Sequence, residues 1–449
     1  MATTRRQSGV HMANAYDPAT GAGLDPATQR LLDRRDRVLG PSYRLFYREP
    51  VAVQSAEGLW LRGMDGRAYL DAYNNVPAIG HSHPAVTAAV GAQIATLNTH
   101  TRYLTDPVVD YAERIVAKFP APLERVTFAC TGSEAVDLAI RTAQYGTGNR
   151  GLIVTEHAYH GTTHAAAQVS PSLGPNNPVG DHVALIPSID TARAPAHEVA
   201  TRLLDSVSAA IADLNERGHG VAAVILDSVF SSDGVQVEPA GFLAPVVQAV
   251  HDAGGLYIAD EVQPGFGRTG EWWGFQRHGI VPDLVVLGKP MGNGVPISAV
   301  VGTVAAQERF GSEVRYFNTF GGNPVSIAAA TAVLDVIEQD GLVEHAARVG
   351  GELLSGLQSL MGDYERITDV RGAGLFLAAD LGSRDAGLSP DPELAARVVN
   401  ALRDEGVLIS ASGPAAATLK IRPPLPFTSN HADLLLEKLE LVLRRETRA

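Results

Sequence analysis

Cysteine is almost missing. Cys130 is the single one in 449 residues, so no disulfide can close within the chain. That usage fits a reducing compartment and excludes a zinc site built from several cysteines. Positive charge is also scarce. The net charge is −13, which argues against general binding to nucleic acid or an anionic membrane, though not against a small anion in a local pocket. No run reaches 18 consecutive apolar residues, so no membrane span is expected. Met1 to Asn14 carries Arg5 and Arg6 with no apolar segment behind them, unlike a secretory signal. These absences lead to the expectation of a cytoplasmic chain.

The composition is that of a globular protein, with 45% hydrophobic and 19% charged residues. The length suggests two or three domains at roughly 150 residues each. Glycine (45) and proline (27) together make about one residue in six, a share that suggests many tight turns. Val126 to Ala129, Leu152 to Val154, Val221 to Leu226, Leu256 to Ala259, Leu284 to Leu287 and Ala299 to Val301 are short apolar runs without alternation. Such runs predict strands buried on both faces of a mostly parallel sheet. Amphipathic stretches lie between them, including Glu134 to Tyr145 and Phe242 to Ala253, and predict helices in an α/β domain. A long helix is expected over Pro324 to Gln339. Beyond about residue 335, helical patterns (343–360, 392–405, 432–445) flank short strands (374–379, 407–410, 418–422), which reads as a smaller α+β domain. The expected division is an N-terminal segment over 1–60 packing with the small domain, a large domain over 61–334 and a small one over 335–449.

Three motifs carry chemistry. Thr131-Gly132-Ser133-Glu134 follows a predicted strand and opens a predicted helix, where backbone N–H groups and hydroxyls can hold a phosphate; a plain helix cap is the other reading. Asp260 and Glu261 end a buried strand, where α/β sheets place ligand chemistry. A magnesium-binding acid would need a G-x-x-x-x-G-K-S/T loop, and the only Gly-Lys pair, Gly288-Lys289, is followed by Pro290. An acid facing a cationic ring nitrogen, or an acid capping the next element, remains. Lys289 ends another buried strand, where burial lowers an amine's pKa and favours Schiff-base chemistry; a lysine reaching out to solvent is the alternative. Together they supply what pyridoxal phosphate needs: a phosphate cradle, a partner for the ring nitrogen and an amine for the aldehyde. Tyr159-His160-Gly161 adds an aromatic face for the ring. The pairs His81/His83 and His157/His160 lack acidic or cysteine company at ligand spacing, so no metal is expected.

From about Tyr43 onward the chain resembles the class III aminotransferases, pyridoxal-phosphate enzymes of fold type I (aspartate-aminotransferase-like). The likeness lies in Gly80-His81-Ser82-His83-Pro84, Thr131 to Ala135, Tyr159-His160-Gly161, Asp260-Glu261-Val262-Gln263 with Gly265 to Gly270, Lys289, and Phe317 to Pro324. It implies a mostly parallel seven-stranded sheet in the large domain. It implies Lys289 as the Schiff-base lysine and proton shuttle, and Asp260 as the partner of the ring nitrogen. Gln263 is implied to reach the ring hydroxyl, with Val262 and Tyr159 on the two ring faces, His160 beside them, and Gly132 and Ser133 on the phosphate. Thr319 would come from a neighbouring subunit, which implies a homodimer with sites at the interface.

Within the family, carboxylate-bearing substrates are usually read by arginines, and this chain departs there. Lys420 holds the position of an arginine found in ornithine-type members, Ser232 replaces a gating glutamate, and Ser410 stands where amine-type members have a mobile arginine. Lysine and serine cannot reproduce the two-pronged grip of a guanidinium. Tyr73 to Val76, Leu97 to Leu104, Gly288 to Gly294 and Ser410 to Pro414 resemble instead the phospho-lyase branch acting on O-phosphoethanolamine or phosphohydroxylysine. That likeness implies a phosphorylated small-molecule amine as substrate, with elimination of phosphate. The other reading is an aminotransferase moving an ω-amino group to a keto acid such as pyruvate or 2-oxoglutarate. Arg102, with Tyr103 and Arg44, is expected at the substrate phosphate, unless Arg102 serves as an interface ion pair. Arg422 is a further candidate for substrate binding.

Overall fold

The apolar runs assemble into one sheet of seven strands in the computed structural model, which describes residues 14–18, 23–384 and 387–447. The expectation about residues 1–13 as a non-signal segment lies outside the described residues. Across the sheet the order is Leu123–Ala129, Ser298–Thr303, Leu284–Leu287, Leu256–Asp260, Val221–Asp227, Gly151–Thr155 and Val183–Ile186. Only Ser298–Thr303 runs against its neighbours. The strands at the centre are buried on both faces: Val221 through Leu226 and Leu284 through Leu287 are each at most 1% exposed. This explains their unbroken apolar character. Helices Gly132–Thr147, Ala196–Glu216 and Ala244–Asp252 pack against the sheet.

Leu256–Asp260 is the middle strand by position, with two parallel neighbours, and Asp227 pairs directly with Asp260 where both strands end. Ligands in such sheets bind outside these carboxyl ends. Two residues separate the helix Gly132–Thr147 from its strand.

A second sheet joins the two ends of the chain. Val53–Glu57, Trp60–Gly63 and Ala68–Asp71 form an antiparallel meander whose last strand pairs in parallel with Val407–Leu408. The pairing therefore runs past residue 60. The helix Pro324–Gln339 passes through residue 334 unbroken. Further on, Ile367–Ala373, Phe376–Ser383, Thr418–Ile421 and Ser410–Ser412 make an antiparallel sheet, with Leu342–Asp363, Pro392–Asp404 and Ser429–Glu446 as its helices. Arg371 ties this sheet to the segment that follows Val221–Asp227 by donating to Val235 O at 2.8 Å and Gly234 O at 2.6 Å.

Among the described residues no helix is long and apolar enough to cross a membrane.

Candidate active site

The turn after Leu123–Ala129 is both a helix cap and an open cradle. Thr131 Oγ1 accepts from the N–H of Glu134 at 3.2 Å, and the Glu134 carboxylate accepts from the N–H of Cys130 at 2.7 Å. This reciprocal pair caps the helix and leaves the N–H groups of Gly132 and Ser133 in the first turn without helical acceptors. Space is tight around them. A Cβ on Gly132 would lie 3.2 Å from Val262 Cγ2, and one on Gly288 would lie 3.4 Å from Gly132 Cα. The cradle, Val262 and the turn carrying Lys289 are thus in contact. On the other side Gly161, at φ +137°, packs on Ser133, and Thr162 donates its N–H to Ser133 Oγ at 3.0 Å.

Asp260 and Glu261 are adjacent but face different ways, as successive residues of an extended chain do. Glu261 turns into the fold, accepting from Ser228 Oγ at 2.6 Å and from the N–H groups of Gly274 (2.7 Å) and Phe275 (2.9 Å). Burial pushes its carboxyl up to about 7. Asp260 accepts from Val262 N at 3.0 Å and meets His160 Nδ1 at 2.7 Å. Tyr159, next to His160, has its phenol raised by burial and by the nearby Asp260 carboxylate.

Lys289 begins a one-turn helix, Lys289–Gly292, directly after its strand. Asn293 holds that turn to the Gly80 loop, donating to Gly80 O at 2.8 Å and accepting from Ile79 N at 3.1 Å. The Lys289 amine makes no hydrogen bond or ion pair among the described residues. Burial, with the Arg422 charge, pushes it down to about 8. A sheltered, unpaired amine poised to lose its proton suits bond formation with an aldehyde.

Gln263 is gripped from the end of Thr418–Ile421. Its side-chain oxygen accepts from Lys420 Nζ at 3.2 Å and from Arg422 Nη1, while Asn75 Nδ2 donates to its backbone oxygen at 3.2 Å. Arg422 also donates through Nε to Tyr73 O at 3.0 Å, and its guanidinium lies 4.9 Å from the Tyr73 ring centroid. Arg422 is therefore not an open cation offered to substrate, as expected of it from sequence; it is buried (5% exposed) and engaged. Lys420, also buried, donates to Ser231 O at 2.9 Å.

The remaining expected residues lie elsewhere on the single chain. Arg102 sits with its guanidinium 3.7 Å from the Phe317 ring centroid, beside a stack of His100 on Tyr103. Arg102, Tyr103 and Thr319 are exposed, as is Arg44. Arg44 borders a separate surface hollow with Tyr16 and Tyr43.

Three groups escaped the sequence reading as members of the site: Asp227, Asp233 and Ser231. Asp227 is raised by burial and by its register partner Asp260. Asp233 is pushed up to about 6 by burial. A signal was available, since Asp227 ends an apolar strand just as Asp260 does. Among the described residues no group of three or more His, Cys, Asp or Glu is arranged to hold a metal ion.

The residues fit a planar, phosphorylated pyridine aldehyde. The side-chain-free cradle at Gly132 suits its phosphate, the partnerless Lys289 amine suits its aldehyde, and Asp260 suits its ring nitrogen. The amide Nε2 of Gln263, without an acceptor among the described residues, suits a ring oxygen.

Comparison with known proteins agrees. Residues 46–443 match the class III aminotransferase family. A Drosophila melanogaster protein named alanine–glyoxylate aminotransferase 2-like is 39% identical over 417 residues, 90% of this chain and 84% of its own. A Caenorhabditis elegans protein named ethanolamine-phosphate phospho-lyase homolog 1 is 36% identical over 451 residues, 95% of this chain and 96% of its own. Among solved structures, a phospholyase from Arthrobacter in complex with phosphoethanolamine superposes with a TM-score of 0.89 at 44% identity, covering 92% of this chain and 99% of that one. With that sheet, that lysine and that match across most of its length, the chain belongs to the class III aminotransferases, fold-type-I enzymes whose cofactor is pyridoxal phosphate.

Proposed function

We propose that the protein is an ammonia-phospho-lyase that takes O-phosphoethanolamine and water to acetaldehyde, ammonia and phosphate. The observation that carries this reading is the 44% identity to a phospholyase solved with phosphoethanolamine. The site supports it: Lys420 and Arg422 are held by Gln263, Ser231 and Tyr73, so neither offers a free grip to a substrate carboxylate.

Pyridoxal phosphate, when bound, supplies an aldehyde that takes the substrate amine and a ring that accepts the electron pair left by a departing proton. The chain's residues do the rest. Lys289 would hold the cofactor's aldehyde and would take the proton from the substrate carbon next to the amine. Asp260, held by His160, would keep the ring nitrogen protonated. Gly132 and Ser133 would anchor the cofactor's phosphate through the helix N-terminus, with Val262 and Tyr159 on the ring and Gln263 as donor to its hydroxyl oxygen. On the next carbon the C–O bond breaks and the phosphate leaves with the electron pair. Water then replaces the nitrogen on the two-carbon fragment, releasing acetaldehyde and ammonia. The reading also gives the departing phosphate to Arg102, with Tyr103 and Arg44, all three of which are exposed and apart from Lys289 in the single chain.

The reading includes a homodimer in which Thr319 reaches the partner's cofactor phosphate. Ile94, Leu97, Tyr103, Leu104, Phe317 and Phe320 are 38–94% exposed, and the contacts of His100 with both Tyr103 and Phe317 draw two of their segments into one apolar face of the kind that marks an interface. It also includes a cytoplasmic location, a large cofactor-binding domain over 61–334 and a small domain over 335–449 that receives segment 1–60.

The test is to incubate the holoenzyme with O-phosphoethanolamine, without a keto acid, and follow inorganic phosphate. Many turnovers are expected, because transamination would halt after one half-reaction. The Drosophila relative's name favours a second reading, transfer of an amino group to pyruvate or 2-oxoglutarate. Amine transfer on adding either acceptor, with no phosphate released, would establish that instead.

A further inference from the structure

Two basic side chains from one strand close on a single amide oxygen. Lys420 and Arg422 are two residues apart, at the end of Thr418–Ile421 and just beyond it, and so share a face. Both donate to Gln263 Oε1, and both are buried. An amide oxygen has two lone pairs, and its nitrogen can only donate. Here an amine, whose proton burial and the Arg422 charge loosen, and a guanidinium occupy the oxygen. Turning the amide over would set its NH2 against the N–H groups of the guanidinium in a buried place, leaving donors facing donors. The amide is thus locked in one orientation, and its Nε2 has no acceptor among the described residues. Gln263 follows Val262, whose side chain touches the Gly132 and Gly288 positions at the cradle and the lysine turn.

We propose that Lys420 and Arg422 are positioning residues: they fix Gln263 as a pure donor to the ring oxygen of the cofactor and do not themselves grip a substrate carboxylate. The proposal rests on family membership and on Gln263 facing the ring, and holds for elimination or transamination alike. The donor at the ring oxygen, with the Arg422 charge behind it, disfavours adding a further proton at the Lys289–cofactor junction.

The readout is the pH midpoint at which the visible absorption band of the bound cofactor changes, measured on loaded enzyme without substrate. Gln263→Leu should raise it by about one pH unit. Lys420→Met should raise it too, and its effect should vanish in the Gln263→Leu background, because it acts through that residue. Lys420→Arg, which keeps the N–H donors, should hold the wild-type midpoint and serves if Lys420→Met does not fold; Arg422→Lys should fall between. An equal shift from Lys420→Met in both backgrounds, or none in either, would overturn the positioning role. An unmoved midpoint in Gln263→Leu would overturn the proposal at its first step, while phosphate release from O-phosphoethanolamine would still judge the lyase reading separately.

Discussion

His160 Nδ1 and Asp260 Oδ2 stand 2.7 Å apart, 100 residues apart in sequence, and both residues are buried. The contact fixes how the Asp260 carboxylate is presented, since its other oxygen is held by the N–H of Val262. His160 itself is seated by Ser170, whose hydroxyl accepts from the His160 N–H at 2.8 Å. Groups that orient a catalytic group from behind commonly contribute about 10- to 100-fold. His160→Ala is expected to load cofactor yet lower kcat by about tenfold, with KM little changed. Steady-state phosphate release measures this; an unchanged kcat would show that Asp260 needs no such support.

The two adjacent acids should separate chemistry from folding. Asp260→Asn removes the charge opposite the ring nitrogen and is expected to lower turnover by at least about 100-fold, with a modest effect on unfolding. Glu261→Gln weakens the acceptor for Gly274, Phe275 and Ser228 and is expected to reduce stability by about 1–3 kcal/mol. Urea unfolding and turnover, measured on both variants, should rank them in opposite order.

Lys289 makes the stability of the apoprotein depend on pH. Its amine lies near 8 in the folded chain, against an ordinary value of 10.5. Below pH 8 both states hold the proton, and the folded state bears the full penalty of a sheltered ammonium. Between pH 8 and 10.5 the unfolded chain binds more protons, so this penalty shrinks as pH rises. Lys289→Met has no such proton. Its stability advantage over wild-type apoprotein is expected to narrow from about pH 8 to about pH 10.5, read from urea midpoints. A constant gap would contradict the lowered amine. The same variant should release no phosphate.

Gly161 leaves no room for a side chain. At φ +137°, a Cβ there would lie 2.5 Å from Ser133 Oγ and 2.7 Å from Ser133 Cα. Gly161→Ala is expected to introduce about 1–3 kcal/mol of strain and to displace the cradle. The rise in melting temperature on adding pyridoxal phosphate should shrink relative to wild type, a larger change than any loss in the apoprotein alone.

What could be read in the sequence follows how each signal is built. Strands such as Leu284–Leu287 are buried on both faces and show as plain apolar runs. Val183–Ile186, at the sheet edge, is an equally apolar run with three of its four residues buried and went unread all the same. So did Val53–Glu57, which is largely exposed. The reversed direction of Ser298–Thr303 leaves no trace in composition. Within the site, the Thr131 turn, Asp260 and Lys289 each carry their meaning in a few consecutive residues. The grip of Lys420 and Arg422 on Gln263 spans about 160 positions and depends on how two parts of the chain pack. Arg422 looked like a free cation because a sequence cannot show what a side chain already holds.

The pairing of Ala68–Asp71 with Val407–Leu408 also sets a timetable. On a ribosome, the meander beginning at Val53 is made early, but the strand that completes its sheet emerges after some 340 further residues. At about 5–20 residues per second, the early meander waits many seconds with an unpaired edge. The central sheet can form meanwhile from consecutive segments. The sheet that joins the early meander to Val407–Leu408 closes only once that late strand has been made, after every strand of the central sheet.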